Sequence, residues 1–485
     1  MQHFLHIIQS SNPSLSFLSA REKNITLSKD ENQQFYDWLS EYIEKLDSYD
    51  LEDIKALALC RTSGAIHKAT ALRLYSVNLP CIFPESKLVN IISEHAQKTK
   101  QEVFLIGGCV RDLFLGKPFF DIDCCLEASP DIFVDALIQK HGGYYDKSLR
   151  FGAVHWHTVD GEVIDFTQTR EETYPKKGQL PNVTPSTLEA DLQRRDFSIN
   201  AMAIPLHLHK IDQLIDPFHG ISDLKNKILR ILHPLSFWDD PTRIFRGARY
   251  AGRYNLQCAT LTKQCLTFAL SAIVLGKDIS WQRIGQELTL IFQEPYPLLA
   301  WKKLEEWGVL AEWFPAWRQI HPLLEILSAE YSHPTAVEKL HSYWIILSLS
   351  LSTQERQTQI DMISQNKIIR HLWINTPLLL ERLQQNNEKQ QDRGDFAEII
   401  QEASQAQLFA LSLFLPELQH LFDWWKKEGS QISCKLQGKD LHALGCPRGP
   451  LFGKALSVAK RAAWNGLSFQ EQIEEAKKVW LEAPP

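Results

Sequence analysis

Residues 104–123 constrain the fold of this chain more than any other part of the sequence. The short apolar run at their start predicts a buried strand, and Gly107-Gly108 ends that strand in a turn that leads into a helix. The chain then resumes as an acidic strand, on which alternation places Asp121 and Asp123 on the same face. This order of strand, glycine turn, helix and acidic strand predicts a compact mixed sheet.

The local features of this stretch point to one chemistry. Two acids on one strand face repel each other, so we expect them to share a cation. Hard oxygen ligands suit Mg²⁺, which keeps coordination sites for substrate phosphates. The glycine turn offers backbone N–H groups to an anion at the start of a helix. An acidic strand face or a glycine turn alone is common, but here Arg111-Asp112 stands between the two. Together they indicate nucleotidyl transfer.

The order Gly-Gly-x-Val-Arg-Asp, Leu-x-Gly, Asp-x-Asp in residues 107–123 resembles the first motif of a known family. This is the family of tRNA nucleotidyltransferases and poly(A) polymerases of the bacterial and eukaryotic type, which includes the CCA-adding enzymes. The resemblance implies an α+β fold, in which a palm-like mixed sheet with helices precedes an all-α neck, body and tail. It also implies that Gly107, Gly108, Arg111 and Asp112 bind the nucleotide.

A two-metal site is a second implication of the resemblance. Its ligands would be Asp121, Asp123 and a third carboxylate, Asp165, from a neighbouring strand. An acid between Ile164 and Phe166 could equally be an ordinary strand residue. One Mg²⁺ ion would lower the pKa of the RNA 3′ hydroxyl, and the other would hold the triphosphate and the leaving pyrophosphate.

Two later segments resemble further nucleotide-binding motifs of the family. Residues 194–203 are similar to Arg-Arg-Asp-Phe-Thr-x-Asn-Ala, with Ser198 in place of Thr, and adjacent arginines can contact triphosphate oxygens. Residues 239–243 are similar to Glu-Asp-x-x-Arg, with Asp239 in place of Glu. The nucleotide-binding residues implied here are Arg194, Arg195, Asp196, Asn200, Asp240, Arg243, Arg246 and Arg249.

Asp240 and Arg243 are three residues apart, which on a helix would place them on one face. A carboxylate accepts a hydrogen bond from an exocyclic amino group, and a guanidinium donates to a ring nitrogen. C and A both present an amino group beside a ring acceptor, whereas G and U present the opposite pattern. One Asp–Arg pair can therefore accept CTP and ATP. The alternative is a helix-surface salt bridge, which is common and nearly neutral in energy.

Three weaker resemblances complete the set. Residues 216–224 are similar to the third motif, where the family places an interdomain hinge. Arg283 and Glu287 are similar to a fifth motif thought to support the base-selecting helix, although opposite charges four residues apart are a routine helix pair. Residues 436–451 are similar to the tail module, which implies contact with tRNA. The residues expected to contact tRNA are Lys439, Arg448 and Lys454.

The wider sequence predicts four regions. They are a mostly helical extension (1–85), a catalytic head (86–225), a helical neck (226–320) and a helical body and tail (321–485). Strands are expected at 103–107, 121–126, 152–158 and 162–168, with a helix near 130–140. Residues 170–192 hold three prolines and predict a long loop, a candidate for an element that moves when one pocket switches from C to A.

Composition limits the remaining possibilities. The net charge of −6 argues against a nucleic-acid binder, but residues 243–253 and 435–461 are locally basic. The sequence contains neither an apolar run of the roughly 18 residues that a membrane helix needs nor a secretory signal. The nine cysteines form no Cys-x-x-Cys pair, which favours reduced thiols in the cytoplasm.

The expected function is template-independent addition of C, C and A to the 3′ end of tRNA from CTP and ATP. Within the family, an A-adding enzyme, a CC-adding enzyme and a poly(A) polymerase remain open. The pI near 6.3 speaks against the last. A catalytically inactive RNA-binding protein is the alternative from a different class. The sequence leaves the oligomeric state open.

Overall fold

The computed structural model describes residues 74–76, 87–117, 122–148, 152–207, 213–330, 335–363, 366–387 and 392–481. Within these residues a mixed α/β region is followed by a long succession of helices, which confirms the predicted fold class. The expected N-terminal helical extension lies outside the described residues, apart from one short strand at residues 74–76. The predicted division into four regions stays a prediction.

Eight of the described strands form one mixed sheet in the order β1-β10-β9-β2-β3-β6-β5-β4. In this sheet β3 and β6 run parallel, and the other neighbouring strands are antiparallel. The strand predictions are confirmed by β2, β3, β5 and β6. The strands are β1 (Leu74–Ser76), β2 (Val103–Ile106), β3 (Ile122–Leu126), β4 (Tyr144–Ser148), β5 (Ala153–His157), β6 (Val163–Gln168), β7 (Arg170–Thr173), β8 (Asn182–Pro185), β9 (Ala203–Pro205), β10 (Gln213–Ile215), β11 (Ile228–Leu229) and β12 (Gln257–Cys258).

Eleven helices accompany these strands in the described chain up to residue 313. They are α1 (Lys87–Thr99), α2 (Gly108–Phe114), α3 (Pro130–His141), α4 (Leu188–Gln193), α5 (Gly220–Asn226), α6 (Ser236–Asp239), α7 (Thr242–Tyr254), α8 (Thr260–Ala272), α9 (Trp281–Phe292), α10 (Pro297–Glu306) and α11 (Val309–Trp313). The helix predicted near 130–140 is α3, and the helix predicted after the glycine turn is α2.

Alternation along β6 decides which face of the sheet is covered by helices. Ile164 and Phe166 are buried, and Phe166 packs against Phe133 of α3 with ring centroids 5.6 Å apart. Asp165 lies between them and therefore points to the opposite face. Asp123 is its direct neighbour in the β3–β6 register, so the two carboxylates lie side by side on that face.

The described residues divide into two compact units. The first contains the sheet and ends at Trp313, except that residues 288–293 belong to the second unit, which continues from Phe314. The second unit is helical, with an aromatic core in which Phe292 stacks on Tyr343 at 4.8 Å. Its helices are α12 (His321–Glu330), α13 (Ala336–Leu349), α14 (Thr353–Thr358), α15 (Lys367–Asn387), α16 (Arg393–Ile400), α17 (Gln405–Phe414), α18 (Gln419–Lys427), α19 (Gly438–Ala443), α20 (Pro450–Trp464) and α21 (Phe469–Leu481).

The predicted tRNA-contacting residues lie at the end of the second unit. Lys439 on α19, Arg448 before α20 and Lys454 on α20 are all exposed, around a small core that includes Leu441 and Ala455. Their contact with tRNA stays a prediction. No helix in the described part of the chain is long and apolar enough to span a membrane.

Candidate active site

The glycine turn after β2 lies against an arginine of the second motif. Gly107 has a φ of 74°, in the left-handed region that favours glycine. Its N–H donates to the carbonyl oxygen of Met202 over 3.2 Å. A Cβ at Gly107 would stand 2.7 Å from Nη1 of Arg195. The backbone conformation therefore requires glycine, and the turn and Arg195 form one wall of the site.

A continuous chain of hydrogen bonds joins the first two motifs to α7. Arg111 donates from Nε and Nη2 to the two carboxylate oxygens of Asp112, each over 2.9 Å, and from Nη1 to Oδ1 of Asn200 over 2.5 Å. Asn200 donates to Asp196 over 2.9 Å, and Nε of Arg246 donates to the same carboxylate over 2.9 Å. A short 3₁₀ turn at residues 198–200 brings Asp196 and Asn200 together.

Asp196 is held as a carboxylate within this chain. Burial alone would raise its pKa, but Arg246, the Asn200 amide and Arg243 outweigh burial and lower the pKa to about 2. Tyr254 of α7 supports the same network. The guanidinium of Arg111 lies 4.8 Å from the ring centroid of Tyr254, whose hydroxyl donates to Asp112 over 2.8 Å.

A buried carboxylate that the sequence analysis did not single out organises the arginine pair. Asp191 of α4 accepts at Oδ1 from Nε and Nη2 of Arg194, over 3.0 and 2.8 Å, and at Oδ2 from Arg195 over 2.9 Å. Arg194 also donates to Glu172 over 2.8 Å. Burial would raise the pKa of Asp191, but Arg195 and Arg194 outweigh it and hold the pKa below its usual range. The three- and four-residue spacings were the sequence signal for this group.

Replacing Asp191 with Asn is expected to lower the free energy of unfolding by about 3–5 kcal/mol, because it leaves Arg195 without its buried counter-charge and Arg194 with Glu172 alone. Thermal and denaturant unfolding would measure the loss. The matched control is Asp160→Asn, since the Asp160 carboxylate forms an exposed pair with Lys87 at 3.8 Å and such pairs contribute about 0–1 kcal/mol. An Asp191→Asn protein as stable as the control would contradict this role.

The predicted metal ligands are brought together in part. Asp123 and Asp165 are paired residues of β3 and β6, while Asp121 lies outside the described residues. Nδ1 of His155 on β5 lies 2.6 Å from Oδ1 of Asp165, and this hydrogen bond raises the pKa of His155. Nε2 of His157 similarly lies 2.8 Å from Asp146. The carboxylate partners of both histidines come from neighbouring strands of the sheet.

The donor set on this face fits Mg²⁺ by its chemistry. Asp123 and Asp165 offer hard carboxylate oxygens from adjacent strands. The nearby thiol of Cys109 donates to the Ile106 carbonyl oxygen over 2.9 Å, and burial raises its pKa to about 12. No group of three or more His, Cys, Asp or Glu side chains suited to a metal was found among the described residues, which do not include Asp121. The three-carboxylate site and its two ions stay a prediction.

Asp240 and Arg243 occupy different backbone environments. Asp240 has an extended backbone just after α6, so the expectation of one shared helical face is wrong. Its Oδ1 accepts from the Thr242 N–H over 3.0 Å, from the Thr242 hydroxyl over 2.5 Å and from Nη2 of Arg283 over 2.6 Å. Arg243, in the first turn of α7, donates to a serine hydroxyl of α6 and to the Arg194 carbonyl, each over 2.7 Å.

The residues of the fifth motif make contacts between elements rather than a pair along their own helix. Besides bonding Asp240, Arg283 donates from Nη1 to the Gly178 carbonyl over 2.6 Å. Oε1 of Glu287 lies 3.9 Å from Nη1 of Arg246, and burial raises the pKa of Glu287 although that arginine opposes the rise. Arg283 therefore connects α9 to Asp240 and to the segment around Gly178, and a supporting role in base selection stays a prediction.

The prediction of a long loop over residues 170–192 is wrong for much of that segment. Strands β7 and β8 form an antiparallel hairpin, and α4 begins at Leu188. The three prolines suggested a loop, but Pro185 lies at the end of a strand in a two-stranded sheet, where proline is tolerated. The turn joining the strands is anchored by Lys177, whose Nζ lies 2.7 Å from the Asp278 carboxylate.

The predicted nucleotide-binding groups line one cavity in the first unit, with a volume of about 930 Å³, whereas Asp165, Asp191 and Arg283 are not among its lining residues. This volume lies at the upper end of the roughly 300–1,000 Å³ typical of small-molecule sites. Asp123 also lines the cavity. The predicted nucleotide-binding residues that line it are Gly107, Gly108, Arg111, Asp112, Arg194, Arg195, Asp196, Asn200, Asp240, Arg243, Arg246 and Arg249. Lining residues that the sequence analysis did not assign include Glu172, Tyr174, Tyr250, Arg253 and Tyr254.

The sequence of the chain is similar to proteins that act on tRNA ends. Residues 103–230 match the family described as the poly A polymerase head domain. An A-adding tRNA nucleotidyltransferase of Halalkalibacterium halodurans is 32% identical over 385 residues, which cover 76% of this chain and 86% of that protein. Matches to two other A-adding relatives cover only 25% and 31% of those proteins.

Relatives named for other specificities are similar over shorter stretches. A CC-adding tRNA nucleotidyltransferase of Deinococcus radiodurans is 34% identical over 237 residues, 49% of this chain and 61% of that protein. A multifunctional CCA protein of Nitrosococcus oceani is 34% identical over 260 residues, 53% of this chain and 60% of that protein.

A solved structure supports the same assignment. A tRNA nucleotidyltransferase complexed with a primer tRNA and an incoming ATP analogue is 25% identical, with a TM-score of 0.56, and the match covers 73% of this chain and all of that one. A cavity lined by paired arginines on a palm-like sheet defines an enzyme that transfers nucleotides. The chain belongs to the tRNA nucleotidyltransferase family, the class that includes the CCA-adding enzymes.

Proposed function

We propose that this enzyme completes the 3′ CCA end of tRNA, adding C, C and A from CTP and ATP with release of pyrophosphate. The proposal is supported by one shared cavity, which is lined both by Asp123 at the predicted metal site and by the Asp240–Arg243 pair. A nucleoside triphosphate bound there would have its base at one set of residues and its reacting phosphate at the other.

The arginines of the cavity suit the triphosphate. Nε of Arg195 and Nε of Arg249 are buried without a hydrogen-bond partner among the described residues, and leaving such a donor unsatisfied costs about 1–3 kcal/mol. Phosphate oxygens would supply the missing acceptors as charge-assisted bonds. Asp191 and Glu294 partly neutralise the same arginines, which orients their guanidinium groups for an incoming ligand.

Base selection rests on Asp240 and Arg243. The Asp240 carboxylate would accept from the amino group of C or A, and each terminal nitrogen of Arg243 retains a second hydrogen for a ring nitrogen. Three donors already fix Oδ1 of Asp240. This rigidity favours a base that presents an amino group, and it disfavours a carbonyl oxygen at the same position.

Two Mg²⁺ ions held by Asp121, Asp123 and Asp165 would supply activation of the RNA 3′ hydroxyl and stabilisation of the pyrophosphate. The protein's own contribution is to hold these carboxylates. Strand pairing places Asp123 beside Asp165, and the short hydrogen bond from His155 fixes the orientation of Asp165. Contact of the tRNA body with Lys439, Arg448 and Lys454, and a cytoplasmic location, belong to the same proposal.

Addition of A alone is the second candidate. It is favoured by the A-adding relative of which this chain covers 86%. The same pocket would then serve ATP with a tRNA that already ends in CC. An enzyme specialised for CC would leave the ATP-accepting capacity of the Asp240–Arg243 pair unused.

The experiment that tests nucleotidyl transfer to tRNA compares two RNAs. Purified protein is incubated with labelled ATP and CTP, using a folded tRNA transcript or an unstructured RNA of equal length, with Mg²⁺ or with excess EDTA. We expect label of limited length on tRNA alone, and only with Mg²⁺. Long runs of A on the unstructured RNA would identify a poly(A) polymerase. Binding without any incorporation would favour the inactive RNA-binding protein.

A further inference from the structure

A small surface beside the nucleotide cavity combines an exposed aromatic ring with cationic side chains. Tyr296, in the turn between α9 and α10, is 74% exposed, and Leu299 on the first turns of α10 is 45% exposed. Both line a second cavity of about 150 Å³. Large apolar side chains exposed this far in one small area are typical of binding surfaces.

The second cavity adjoins the nucleotide cavity. Lys117, Arg249, Arg253 and Pro295 line both cavities, so the surface around Tyr296 lies at an edge of the active site. Lys117 is exposed and forms no ion pair among the described residues. Its ammonium group lies 4.6 Å from the ring centroid of Tyr254, which keeps a positive charge at this edge.

The charges of this surface also suit a polyanion. Arg253 forms a bidentate pair with the buried Glu294, and Nη1 of Arg249 lies 3.7 Å from the same carboxylate. One carboxylate therefore offsets two arginines, and with Lys117 the surface keeps an excess of positive charge. Phosphate groups are the natural partners of such a surface.

We infer that the surface formed by Lys117, Arg253, Pro295, Tyr296 and Leu299 binds the unpaired 3′ tail of the RNA primer just before its terminal nucleotide. This inference rests on the proposed function and extends it to a subsite. Unpaired RNA bases are recognised by stacking on aromatic side chains, and the Tyr296 ring is free to accept one. Lys117 and Arg253 then contact the adjoining phosphates, while the terminal hydroxyl reaches the nucleotide cavity.

The test measures the KM for the tRNA and the KM for ATP separately. Loss of one base–aromatic stack should raise the KM for a tRNA ending in CC by about 5- to 150-fold in Tyr296→Ala, with the KM for ATP unchanged. Tyr296→Phe should stay near wild type, because the ring is retained. Tyr144→Ala is the matched control, since Tyr144 is 64% exposed on the edge strand β4. An unchanged KM for tRNA in Tyr296→Ala would overturn the inference.

A second readout keeps this result distinct from failure of the proposed function. A tRNA carrying 2-aminopurine in its unpaired tail should lose fluorescence on binding the wild-type protein and Tyr296→Phe, but not Tyr296→Ala. This measurement needs no catalysis. If the wild type extends no tRNA, the proposed function fails, while the fluorescence still decides the subsite. Equal quenching by the wild type and Tyr296→Ala would overturn the subsite alone.

Discussion

Replacement of Asp123 with Asn is expected to lower the rate of nucleotide incorporation by about 10²- to 10³-fold, the size of effect that follows removal of one preorganised electrostatic contact from an active site. Asp123 lines the nucleotide cavity and lies beside Asp165 on the open face of the sheet. The amide keeps the shape of the side chain but loses the charge that would hold Mg²⁺. Replacing both Asp121 and Asp123 with Ala should abolish incorporation. Primer extension under single-turnover conditions would measure both losses.

Affinity for tRNA is the internal control of this experiment, because Asp123 is not among the residues proposed to contact the tRNA. Filter binding should give the same Kd for the wild type and the variants. The matched control is Asp131→Asn, since the Asp131 carboxylate is paired at the surface with Lys147 at 2.9 Å and lies outside the cavity. Incorporation by Asp123→Asn at the rate of this control would disprove the metal assignment.

Replacement of Asp240 with Ala is expected to shift base preference more than any other single change. The variant loses the acceptor for the amino group of C and A, and a good pair of hydrogen bonds to a base contributes about 1–3 kcal/mol of discrimination. The ratio of kcat/KM for ATP over GTP should therefore fall by about 5- to 150-fold. Competition between labelled nucleotides on one tRNA would measure this ratio.

Thr242, which contacts the Asp240 carboxylate, offers a graded control. Thr242→Val keeps the shape of the side chain and the Asp240 carboxylate but removes the hydroxyl that donates to it over 2.5 Å. Its ATP-to-GTP ratio should lie between those of the wild type and Asp240→Ala. Unchanged discrimination in Asp240→Ala would place base selection at other residues of the cavity.

The strands around the catalytic face could be predicted from local patterns. The family resemblance, and not alternation, supplied Asp165 as a neighbour of the two acids. Gly107 marks the end of β2, and alternation assigns Asp121 and Asp123 to one face of a strand. These inferences depend on neighbouring residues and on the two-residue period of a strand. They are therefore contained in short stretches of sequence.

The contacts that complete the cavity could not be predicted in the same way. Arg283 bonds Gly178, which is 105 residues away along the chain, and the two residues share no local pattern. The antiparallel pairing of β7 with β8 overrides the prolines that predicted a loop. The bond between His155 and Asp165 follows from the register of β5 with β6. The turn that joins these two strands does not fix that register by itself.

The most direct test of the proposal that one pocket accepts both C and A uses three tRNA transcripts. They end before CCA, after the first C and after CC. Each is incubated with the enzyme, Mg²⁺ and CTP, ATP or both, and the products are resolved at single-nucleotide length. If the enzyme adds C, C and A, all three transcripts will be completed to CCA. Extension of the CC-ended transcript alone would identify an A-adding enzyme and contradict the proposal that the Asp240–Arg243 pair serves both C and A.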